Sequence, residues 1–151
     1  MAKTESADPT GTSIALSQLR QMIIGAECEL SSGRPHASGT LAVAGAVRAV
    51  DLICDASLGH HSIAANHRDA IVPLATIPGI DDLVEDFSLC HTHKTGFNYA
   101  ASNLDHQDAK DVLDASLRLF AKAIMVIKEA GWFPEDLDED EFNASEFLGE
   151  V

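Results

Sequence analysis

Between Cys90 and Tyr99 the chain reads Cys-His-Thr-His-Lys-Thr-Gly-Phe-Asn-Tyr, a run of side chains able to do chemistry. His91 titrates near neutrality and can give or take a proton. Lys94 brings a positive charge suited to a phosphate. Asn98 offers donor and acceptor together, and Tyr99 offers a hydroxyl and a ring on which a base can stack. His91 and His93 sit two residues apart, so on a helix they splay by about 200° and do not chelate one ion together.

The surrounding pattern sharpens the point. An apolar stripe runs Ile80, Leu83, Val84, Phe87, Cys90 and later Phe97, with helical spacing. Positions that continue this stripe at 3.6 residues per turn are His91, Lys94 and Asn98. Polar groups therefore arrive where a bundle would place core. Burying each without a partner would cost roughly 1–3 kcal/mol, so they either pair or line a groove. Asp51 and Arg48, one turn apart on an earlier segment, are natural partners. Asp51 and Asp55 lie one turn apart, a spacing that serves acid–base work, a cation, or simply a charged edge. His60, His61 and His67, with His91 or Cys90, form no recognised zinc spacing, and no metal or cofactor is expected.

Five helical segments position these residues, and the expected fold is an all-α antiparallel up-and-down bundle of four long helices and one short one. The first spans about 12–31, with Ile14, Leu16, Leu19, Met22, Ile23, Ala26 and Leu30 on one side and Thr12 or Ser13 as cap. Gly33 and Pro35 end it. The second, about 38–58, is rich in Ala42, Ala44, Gly45, Ala46 and Ala49, small residues that admit close neighbours. The third, about 65–76, is cut short by Pro73. The fourth covers about 80–101. The fifth, about 106–130, opens on Asp105 as N-cap and carries Ala109, Val112, Leu113, Ser116, Leu119, Phe120, Ala123, Ile124, Val126 and Ile127 at helical period. Residues 1–11 read as a flexible start, and 132–151 as a separate, loosely docked tail.

Composition excludes several classes. With 46% apolar residues the chain folds rather than staying disordered. No apolar run reaches the roughly 18 residues that span a bilayer, and the start lacks a signal-peptide pattern, so no membrane association and a cytoplasmic location are expected. Cys28, Cys54 and Cys90 suit reduced, buried thiols. The formal charge is −14. Residues 132–151 hold eight acids and no Lys or Arg, leaving sixteen acids against ten bases, a net of −6, on residues 1–131. Such a surface does not bind DNA by bulk charge. Trp132, Phe133, Phe142 and Phe147 among the tail acids make it a candidate partner-docking element.

Three stretches together resemble HEPN domains. They are the Ala-rich run Leu41–Leu52, the segment Asn66-His67-Arg68-Asp69-Ala70, and Lys94–Ala100 late in the fourth helix; the likeness covers roughly residues 12–130. The resemblance implies a helical bundle that pairs as a homodimer. In members that cut RNA, an Arg and a His with four to six residues between them converge across the dimer without metal. Here Lys94 stands at the Arg position. Tyr99 falls at the shortest His spacing, and Ala100 and Ala101 fall at the longer ones. Lys lacks the planar fork that grips phosphate, and Tyr is a poor base at neutral pH. The resemblance thus implies a noncatalytic binding or regulatory module, more likeness of fold than of cleavage. Its groove would comprise Asp51, His91, Lys94, Asn98 and Tyr99 and take a nucleotide, RNA or protein partner. The alternatives are a divergent metal-independent RNase toxin of a toxin–antitoxin-like system, with His91 and Lys94 catalytic, and an interaction protein acting through its acidic tail.

Overall fold

The computed structural model describes residues 4–6, 8–62, 67–98 and 104–143. An alanine-rich helix can be approached from several sides, and α2 (Pro35–Leu58) is: it packs most extensively on α5 (His106–Glu129), then on α1 (Thr12–Ser31) and α4 (Asp81–Asn98). Ala42, Ala46 and Ala49 are wholly buried. At Gly45 an added Cβ would lie 3.2 Å from Ile23 Cδ1 on α1 and 3.3 Å from Ser116 Oγ on α5. The missing side chain is thus what lets three helices meet there. A buried Ser38 hydroxyl donates to Ala26 O at 2.7 Å and ties α2 to α1. The architecture is an all-α bundle completed by the short α3 (Ile71–Leu74).

Local chemistry accounts for the boundaries. Gly33, at φ +77°, ends α1 by turning left-handed while Arg34 N–H donates to Glu29 O at 2.9 Å. Pro35 then opens α2 instead of merely following α1. A proline at the first helical position forfeits no hydrogen bond, so α2 starts three residues before the expected 38. Asp105 caps α5 in a reciprocal box: Asp108 N–H donates to Asp105 Oδ1 at 2.9 Å, and Asp105 N–H to Asp108 Oδ2 at 3.0 Å. Every residue assigned to the apolar face of α5 is buried.

Three expectations for α1 are corrected. Neither Thr12 nor Ser13 caps it, because the 3-10 turn Pro9–Gly11 runs straight into the helix; Thr12 is buried, and Ser13 donates to Asp136 instead. Ile14 is 65% exposed, since it lies 200° around the helix from the buried Leu16. Cys28 is exposed for the same reason, two residues past buried Ala26, while Cys54 and Cys90 are buried.

Both chain ends are engaged where described. β1 (Thr4–Ser6) pairs antiparallel with β2 (His60–Ser62), Glu5 opposite His61. At the other end Gly131, at φ +74°, reverses the chain so that residues 132–143 lie back on α5 and α1. Phe142 is 1% exposed and meets Phe120 and Phe133 edge to face at 6.4 and 5.7 Å. Lys128 Nζ donates to Phe142 O at 3.3 Å, and Arg20 Nε to Glu141 O at 3.3 Å. This part of the acidic segment is docked through a core aromatic rather than loosely attached.

Candidate functional site

One face of α2 carries Arg48, Leu52 and Asp55, spaced at helical period, and ends at Gly59. Gly59 adopts φ +80°, and its N–H donates to Asp55 O at 3.0 Å. That left-handed stop folds the chain back at once into β2, which β1 holds in register. His61 is thereby returned to the helix it has just left. Its Nδ1 lies 2.7 Å from Asp55 Oδ1, with the side chains 21% and 16% exposed.

Asp51 stands one turn before Asp55 and is half-buried. Burial pushes its carboxyl up to about 6, and the negative Asp55 adds to that, while His61 and Arg48 pull the other way. Burial also raises the Cys54 thiol to about 12, with Asp51 and Asp55 contributing. Cys54 is therefore a packed thiol and not a nucleophile at neutral pH. Cys90 is likewise raised to about 12 by burial and by Asp86.

A cleft of about 180 Å³ opens between this corner and the start of the chain, lined by Ser6, Asp8, Gly11, Thr12, Ala15, Arg48, Leu52, Asp55 and His61. Among the described residues Arg48 takes part in no hydrogen bond or ion pair. Asp8 Oδ1 accepts from Thr10 N–H at 3.0 Å and from its hydroxyl at 2.7 Å, which holds the carboxyl below its ordinary range. Arg48 also borders a second depression of about 350 Å³ with Gln18, Gln21, Met22 and Leu41. A histidine–carboxylate pair, a carboxyl titrating near 6 and an arginine can bind a charged ligand or move a proton. The same pair also fastens the ribbon to α2.

The fourth helix is placed as follows. Ile80, Phe87 and Cys90 are each 1% exposed, while Leu83 and Val84 of the same stripe are half-buried and packed against the core. His91, His93 and Lys94 beyond it are half-buried. Asn98 ends α4, but its side chain lies outside the described residues, as does Tyr99. Asp86, on the same helix, is held by Arg118 of α5 through two bonds of 2.9 and 2.8 Å. Among the described residues no group of three His, Cys, Asp or Glu is placed to hold a metal ion. His60 Nδ1 is buried without a partner there. No described helix is long and apolar enough to cross a membrane.

Spacing alone links Asp51 with Arg48 and with Asp55 and offers His61 only as a zinc ligand of no recognised spacing; Asp8 carries no signal in the sequence. A signal for the pair exists: Asp55, then a glycine stop four residues on, then His61, a spacing that brings the imidazole back over the last helical turn. Comparison of the chain with family models, curated proteins and solved structures gives no match. The fold and the corner together define a small all-α bundle with a polar, ligand-sized cleft beside its N-terminal ribbon.

Proposed function

We propose that the protein is a noncatalytic binding or regulatory module of HEPN-like architecture that works in the cytoplasm as a homodimer and takes its ligand at the cleft between the ribbon and α2. The observation that carries this reading is the convergence of Arg48, Asp8 and the His61–Asp55 pair on one cavity, with Asp51 titrating near 6 behind them. Carboxylates crowded around a half-buried helix face lower stability, and such arrangements concentrate at functional sites. The polar end of α4, with His91 and Lys94 half-buried where an apolar stripe would continue, supports a second surface for a nucleotide, RNA or protein partner.

Native mass spectrometry of freshly purified protein tests the reading. A dimer carrying a small additional mass, lost in Arg48→Met, is the expected result. A bare monomer indifferent to Arg48→Met would overturn it. Lys94→Ala separates the two surfaces, because it leaves a ligand held at Arg48 in place. RNA added to the same preparation should remain intact, and cleavage abolished by His91→Ala would instead establish the ribonuclease alternative.

A further inference from the structure

We propose that the cleft beside Arg48 binds a small zwitterion of the amino-acid type, its carboxylate on the Arg48 guanidinium and its ammonium toward Asp8 and Asp55. The inference rests on the site proposed above and names its ligand class.

Size comes first. About 180 Å³ corresponds to roughly six waters at about 30 Å³ each. That is below the roughly 300 Å³ at which pockets for drug-sized ligands begin. A nucleotide would extend well beyond it, whereas a molecule of several heavy atoms is held within it.

Charge comes second. The walls present one guanidinium, two carboxylates and the His61 imidazole that is bonded to one of them, Asp55. A simple anion would answer Arg48 but meet the repulsion of Asp8 and Asp55. A simple cation would answer the carboxylates and leave Arg48 facing a like charge. A ligand carrying both charges satisfies both walls. Arg48 and Asp55 are seven residues apart on one helix face, about 10 Å along the axis. Both side chains nevertheless line the one cleft, so a single ligand seated there meets both charges. On Asp8, one oxygen is committed to Thr10, which fixes the carboxyl's direction. His61, bonded to Asp55, holds that second carboxylate in place.

Shape comes third. Ala15 and Leu52 supply an apolar wall between the charged ends. The side chain of a small aliphatic amino acid would rest there without desolvating a polar group.

Isothermal titration calorimetry on the full chain tests this, with glycine, alanine and γ-aminobutyrate against propionate, propylamine and inorganic phosphate at one ionic strength. At least one zwitterion should bind about tenfold or more tightly than either half-molecule, because each half forfeits a charge-assisted contact. Arg48→Met and Asp8→Asn should each weaken that binding about tenfold while the far-ultraviolet helical signal stays unchanged. If propionate or phosphate binds as tightly as the zwitterions and depends on Arg48, the cleft is an anion site. The zwitterion assignment then fails while the binding module stands. If nothing in the panel binds, and neither purified wild-type protein nor Arg48→Met carries mass beyond its own polypeptide, both the assignment and the proposed site fall.

Discussion

Two half-buried aspartates, one on each of two neighbouring helices, are treated in opposite ways. At the seam of α4 and α5, Asp86 receives two hydrogen bonds from Arg118, and Phe87 and Cys90 beside it are almost fully buried. At the corner of α2 and β2, Asp51 forms no hydrogen bond among the described residues and sits one turn from a second carboxylate. The seam matches the Asp86 charge and packs Phe87 and Cys90, the pattern of a region built for stability. The corner keeps a carboxyl at about 6, a cost to the fold that only binding or switching would offset.

Four variants test that contrast. Phe87→Ala should have the largest effect, a loss of about 3–5 kcal/mol in urea unfolding, because it empties a core position in the seam. A loss under about 1 kcal/mol would mean the seam is not packed as described. At the corner the sign reverses. The Asp51 carboxyl is raised in the folded state, so its favourable contribution is complete below about pH 4 and disappears as pH rises through about 6. Asp51→Asn should therefore stabilise the protein at pH 7–8, by up to about 3 kcal/mol for a shift of about two units. The gain should vanish below pH 4. A variant less stable than wild type at pH 8 would contradict the strained corner. Asp86→Ala should cost about 1–2 kcal/mol, a charge-assisted pair discounted for the half-exposed arginine. Thermal unfolding in low and high salt reads it, and no change would reduce the pair to a surface contact. Lys94→Ala should shift stability by less than about 0.5 kcal/mol, as expected for a residue past the end of the buried stripe. A multi-kcal loss would place Lys94 within the structural framework.

The lower half of α4 was legible because its apolar residues recur at one helical face, with Phe87 and Cys90 in the core and Leu83 and Val84 packed at its edge. The same rule flagged His91 and Lys94 as exceptions, and both lie at the half-buried margin. Counting apolar residues without phase misled at Ile14 and Cys28, where two positions shift a side chain by 200°. The tail looked separable because acids dominate it. A single buried aromatic outweighs that impression: Phe142 removes a large apolar surface from water, while the acids around it remain exposed and solvated.

Local signals were enough to determine the four long helices and most of their ends. The Asp105 box, Gly33, Pro35 and the α5 periodicity all act within a few residues and need no tertiary partner. The third segment, expected as a helix over about 65–76, is instead a 3-10 turn at His67–Ala70 followed by α3, which runs through Pro73. The charged corner needed local signals and tertiary structure together. The left-handed stop at Gly59 returns His61 to Asp55 within a few residues, but Asp8 joins Arg48 and His61 on one cleft only because β1 pairs with β2. The Asp51 carboxyl is raised by burial, a property of the packed neighbourhood that no sequence spacing contains.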